Sequence, residues 1–66
     1  MKTIILTKEN GCWMAESLVD SQPDGELIKY FGTAKLPTPF TDKAKSEDVY
    51  KKIKELNKQA TIIIKH

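Results

Sequence analysis

Apolar positions gather near the two ends of the chain and along one helical stripe between them. Lys2 to Lys8 reads Lys-Thr-Ile-Ile-Leu-Thr-Lys, a composition that favours a strand. Glu9-Asn10-Gly11 follows, and Asn-Gly is the strongest short hairpin signal, because a type I′ turn needs positive φ at both central residues. Cys12 to Leu18 then returns as the second strand. A two-residue turn at Asn10-Gly11 pairs Glu9 with Cys12, Lys8 with Trp13 and Leu6 with Ala15. That register puts Ile4, Leu6, Trp13 and Ala15 on one face and Ile5, Met14 and Leu18 on the other. The first face is core. The second is unusually apolar for a surface open to water.

Val19 to Gly25 reads as a loop, with Ser-Gln-Pro-Asp-Gly as its punctuation. In Glu26 to Gly32, Leu27, Tyr30 and Phe31 keep helical spacing and Gly32 suits a left-handed C′ position, which predicts a short helix, with a strand as the alternative. Thr33 to Thr41 carries Pro37 and Pro39 at alternate positions; two missing donors exclude a helix or a central strand. Phe40 to Ala44 fits a short edge strand. Ser46 opens the clearest helix: its hydroxyl suits a cap, and Glu47 and Asp48 suit the positive end of the dipole. Val49, Ile53 and Leu56 form its apolar stripe, and Asn57 is its stop. Ala60 to Lys65 contains three consecutive isoleucines, the mark of a strand buried on both faces. It and the first strand are expected in the middle of the sheet, possible neighbours. The long helix should cover one face, and the short helix or a second subunit the other. The prediction is a single α+β domain over residues 1–66, a small β-β-(short α)-β-α-β unit. It has a three- or four-stranded sheet with one main helix packed on one face.

Sixty-six residues bury only about 60% of the surface that the unfolded chain exposes. Such a domain often gains margin from a disulfide, a metal or a partner. Cys12 is the only cysteine, so no internal disulfide forms, and a reducing, cytoplasmic setting is expected. A structural zinc needs four ligands, and Cys12 and His66 are the only Cys and His. No metal or cofactor is expected. The opening apolar run of three residues is too short for a secretory core, and nothing approaches a membrane span. Net charge is +2, with residues 1–33 at −2 and residues 34–66 at +4. Every cation is lysine. Lysine follows phosphates but lacks the fork that reads bases, so nucleic acid is a possible but not the favoured partner.

Candidate chemistry is sparse. Cys12 lacks a second cysteine or an internal histidine to activate it, and His66 reads as a tail. Asp20, Asp24 and Glu26 share one loop, but turn chemistry accounts for them more simply than calcium or paired-carboxylate catalysis. There is no glycine-rich phosphate loop. The expectation is a protein that is not an enzyme. The segment holding Thr33, Leu36, Pro37, Thr38, Pro39 and Phe40 stands apart. It reads first as a stiffened connector with Phe40 tucked inward. A pre-set extended chain is also cheap to dock against a partner, since little entropy is lost. These six residues are the candidate partner-binding site.

The order of elements, with a strand pair around Gly11-Cys12-Trp13-Met14-Ala15-Glu16 and Ser46-Glu47-Asp48-Val49 opening the helix, resembles the HicB-like antitoxin fold over roughly residues 2–65. That resemblance implies a toxin-binding or dimerising unit, although Ser21 to Gly25 replaces the family's usual turn and an appended DNA-binding domain is not expected. The pieces Trp13-Met14-Ala15, Phe31-Gly32-Thr33, Pro37-Thr38-Pro39-Phe40-Thr41 and Leu56-Asn57 are also similar to a group of short bacterial proteins with no assigned function. The combined expectation is a binding or regulatory module acting through protein–protein contact or self-association. A non-specific RNA-binding domain using the lysine-rich half is the alternative.

Overall fold

The computed structural model describes residues 1–65; the expectation for His66 lies outside them. Two long strands, β1 (Lys2–Glu9) and β2 (Cys12–Val19), form the hairpin. Asn10 and Gly11 have φ of 53° and 77°, the positive pair that a type I′ turn demands. The register is the one the turn dictates, with Glu9 opposite Cys12, Lys8 opposite Trp13 and Leu6 opposite Ala15.

Beyond the hairpin come β3 (Gln22–Pro23), helix α1 (Gly25–Phe31), β4 (Lys35–Thr41), helix α2 (Ser46–Leu56) and β5 (Thr61–Ile64). The result is an α+β domain with a five-stranded mixed sheet. β3 and β4 both pair antiparallel with the outer edge of β2, β3 at Leu18–Val19 and β4 at Cys12–Glu16. They act as one edge strand interrupted by α1. β5 lies parallel to β1 on the far side, reached from β4 by the α2 crossover.

The core is one layer between this sheet and α2. Ile4, Leu6, Trp13, Val49, Ile53 and Ala60 are buried together, with Ala15, Phe40, Ala44, Ile62 and Ile64 packed around them. The Trp13 ring nitrogen donates to the Ala44 carbonyl at 3.1 Å, which fixes the approach to α2. At the other end of α2, Asn57 Nδ2 donates to the Ile53 carbonyl and Lys54 Nζ to the Ala60 carbonyl. These contacts set the turn into β5.

Several details depart from the sequence reading. The stretch 19–25 is not a plain loop: it holds a second tight turn, with positive φ at Asp20 and Ser21, and then β3. β4 starts at Lys35 rather than near Phe40 and contains both prolines, which an edge tolerates. Ser46 is the first helical residue; Lys45 occupies the cap without a side-chain hydrogen bond. β5 is an edge strand and Ile63 is 42% exposed, so its isoleucine run is buried on one face only. Leu56 is 67% exposed because Ile53 is followed by Asn57, not Leu56, on the inner line of α2. Tyr30 and Phe31 are exposed as well, since seven-residue α1 turns only Leu27 toward the sheet. Finally, α1 sits on the same side as α2, with Leu27 and Ile53 lining one cleft, so no element among the described residues covers the opposite face.

Candidate functional site

Ser17 is the junction from which the site is built. Its amide and carbonyl point away from β1, where the edge partner changes from β4 to β3. The amide donates to Ala34 O at 2.9 Å and the carbonyl accepts from the Asp24 amide at 3.0 Å. Its hydroxyl donates to Asp24 Oδ2 at 2.9 Å, while Asp24 Oδ1 caps α1 through the Glu26 amide. One buried serine thus holds the start and the exit of the α1 excursion. The Asp24 carboxyl is held below its ordinary value by the Ser17 hydroxyl, against the opposing effect of burial and helped by the backbone amides of Glu26 and Leu27 and by Lys2. Gly32, at φ 77°, ends α1 by donating to Ile28 O.

Fixing α1 at this spot opens a cleft between it, α2 and β4. Its volume is about 280 Å³, and it is lined chiefly by Ile4, Leu27, Leu36, Pro37, Pro39 and Ile53, with Lys2, Ser17, Thr38 and Asn57 among its polar groups. Its floor is formed by Ile4 of β1 and Ala15 and Ser17 of β2. Phe31 lies one turn beyond Leu27 and Leu56 lies beside Ile53 and Asn57, so exposed apolar side chains continue both helical walls.

Of the six candidate residues, Leu36, Pro37, Thr38 and Pro39 line this cleft. Phe40 packs against the core, and Thr33 caps the turn before β4 by accepting from the Lys35 amide. Thr38 has a second task. Between the pairs Met14–Pro37 and Cys12–Thr41, three β4 residues oppose Trp13 alone. In this bulge the proline at 39 has no amide to offer. The Thr38 hydroxyl substitutes, donating to Trp13 O at 2.8 Å and accepting from the Phe40 amide at 3.2 Å. The Cys12 thiol lies 3.2 Å from Trp13 O and 3.3 Å from Thr38 O.

The segment is therefore both connector and wall. Its cleft was missed from sequence because the opposite wall comes from Leu27 and Ile53, residues that a helical stripe assigns to core. The one available signal was a seven-residue helix with more apolar residues than it can bury.

The acidic loop does not converge. Both Asp24 oxygens are engaged, Asp20 pairs with the Met1 amino group, and Glu26 is exposed in the first turn of α1. A shallow depression beside Asp24 and Glu26 is lined also by Lys2, Val19 and Gly25. Among the described residues, no three His, Cys, Asp or Glu side chains are grouped to hold a metal ion, and no helix is long and apolar enough to cross a membrane. No family model, curated protein or solved structure matches the chain.

Proposed function

We propose that the protein is a binding or regulatory module whose cleft between α1, α2 and β4 takes a short apolar segment of another protein. The observation that carries this reading is the lining by Leu27, Leu36, Pro37, Pro39 and Ile53; exposed Phe31, one turn past Leu27, and exposed Leu56, beside Asn57, are the nearest apolar residues on the two helices. A concave apolar site bounded by exposed apolar side chains is the usual form of a helix- or strand-binding groove. Charge narrows the partner: two walls belong to the half of the chain that carries +4, and Lys2 stands in the lining. The segment therefore has acidic residues flanking its apolar ones. The resemblance to HicB-like antitoxins supports the same class of activity.

The test is selection from a displayed peptide library, followed by titration of the isotopically labelled protein. Selected peptides should be apolar with acidic flanks, and amide shifts should centre on Leu27, Leu36, Ile53 and Asn57. Leu56→Glu should weaken binding at least about tenfold through repulsion of those flanks. Shifts confined to the lysines of α2, or no selected peptide, would overturn the proposal. The second reading, non-specific RNA binding, draws on exposed Lys51 and Lys52 of α2, Lys58 in the turn after it, and Lys43 and Lys45 before it. It requires affinity that falls steeply with salt.

A further inference from the structure

The opposite face of the sheet offers a different surface. Strand alternation and register place Thr3, Ile5, Thr7 and Glu9 of β1 there, with Cys12, Met14, Glu16 and Leu18 of β2 and Thr61 and Ile63 of β5. Lys35 joins them from β4, while Pro37, opposite Met14 at the sheet edge, borders both this face and the cleft. Both helices lie on the other side, and the shortest extent of the molecule is only 18 Å. That is room for one sheet and one layer of helices, with nothing beyond.

The centre of this bare face is apolar, and its charges balance. Glu9 and Glu16 are its acids; Lys35 and Lys65 are its bases, Lys65 lining the same broad depression of about 620 Å³ as Thr7, Glu9 and Lys35. Lys35 reaches across β2 to form an ion pair with Glu9 on β1, so its aliphatic stem crosses the face. Lys8 borders this depression as well, but strand alternation turns its side chain to the other side, where its ammonium stands 5.1 Å from the Trp13 ring centre. A patch with two charges of each sign repels neither a copy of itself nor anything neutral. A nucleic acid would require an excess of lysine. This is the charge pattern that an isologous two-fold interface demands, because the same patch must complement itself.

Area sets the strength. The 29 strand residues, at about 3.3 Å rise and 4.8 Å spacing, cover roughly 460 Å² per copy and about 900 Å² for a pair. That is just under the lower limit for a stable specific interface, about 1,000 Å², and in the range of weak, transient ones. We propose that two copies of this chain associate through these open sheet faces, packing sheet on sheet with the helices and both clefts outermost. Aligned sheets pack about 10 Å apart with strands crossing near 30°, which places Ile5, Met14, Leu18 and Ile63 between them. At this area the dimer is weak and concentration-dependent. It uses the side away from the cleft, so it stands independently of the peptide-binding proposal.

Sedimentation equilibrium from about 10 μM to 1 mM tests this directly, a range suited to a weak dimer. The wild-type chain should move from its 7.5 kDa mass toward twice that value. Ile63→Lys, at a half-exposed edge position that tolerates a polar side chain, should weaken association at least about tenfold. Glu16→Lys and Lys35→Glu should each be monomeric alone, being of one net sign across the face, and should associate with each other when mixed. Trp13 fluorescence and circular dichroism establish that each variant is folded. A wild-type mass that stays monomeric at 1 mM would overturn the proposal. So would a dimer unaffected by these three substitutions, or one abolished instead by Leu56→Glu on the cleft side. Peptide binding retained by Ile63→Lys would separate the two surfaces.

Discussion

The bulge opposite Trp13 turns on one hydroxyl, and replacing Thr38 by valine removes it at nearly constant volume. Thr38→Val removes the hydroxyl that accepts from the Phe40 amide and donates to Trp13 O, where the Cys12 thiol is a weaker donor. Stranding a buried polar group costs about 1–3 kcal/mol. Thr38 is half-buried, so water reaches part of the site and the lower half of that range applies, about 1–2 kcal/mol. A domain of this size has roughly 3–10 kcal/mol in total, and each kcal/mol moves its midpoint by about 4–8 °C. The expected loss is therefore roughly 5–15 °C in Tm. Urea denaturation followed by Trp13 fluorescence measures the free energy and reports on the residue beside the bulge. Thr38→Ser keeps the oxygen and should lose less than Thr38→Val. Equal losses in the two variants, or a Thr38→Val change within about 0.3 kcal/mol of zero, would refute the assignment of the hydroxyl as a substitute for missing ladder amides.

Three further outcomes follow from the packing and the charges. Leu6→Ala empties a fully buried position in a single-layer core and should cost about 2–5 kcal/mol by denaturant titration, enough to leave part of the population unfolded. Gly11→Ala meets no atom within 4 Å, yet its φ is +77°; a purely conformational loss of about 1 kcal/mol is expected, read as a lower urea midpoint with an unchanged m-value. The carboxyls of Glu9 and Asp24 are both held below their ordinary values, Glu9 by Lys35 and then Thr7, Asp24 by the Ser17 hydroxyl. Their folded pKa values lie under the unfolded ones, so their stabilisation is complete above about pH 4–5 and is lost as pH falls through the folded values. Thermal melts should be flat from pH 5 to about pH 8 and decline below about pH 4, with Asp24→Asn shrinking the acid-side decline.

Local chemistry was enough for the hairpin and for the existence of the helices. Asn10-Gly11 demands one turn type, that turn imposes one register, and period-two alternation then assigns every side chain of β1 and β2 to a face. Gly32 and Asn57 mark the helix ends for equally local reasons. The interrupted edge was beyond such reasoning. Gln22-Pro23 is too short to announce itself as a strand, and its pairing with Leu18–Val19 exists only because β4 leaves that part of β2 free. Likewise, three isoleucines in a row specify a strand but not its neighbours. The crossover through α2 puts β5 beside β1 at an edge, leaving Ile63 half-exposed. The stripes of α1 and α2 specified apolar faces but not what would meet them. Pinning α1 to Ser17 at both ends holds it away from α2, so Leu27 and Ile53 line a cleft that Phe31 and Leu56 border. Alternation along a strand is fixed by backbone geometry within a few residues. Whether a face is covered depends on contacts between residues far apart in the chain, and only the tertiary fold decides it.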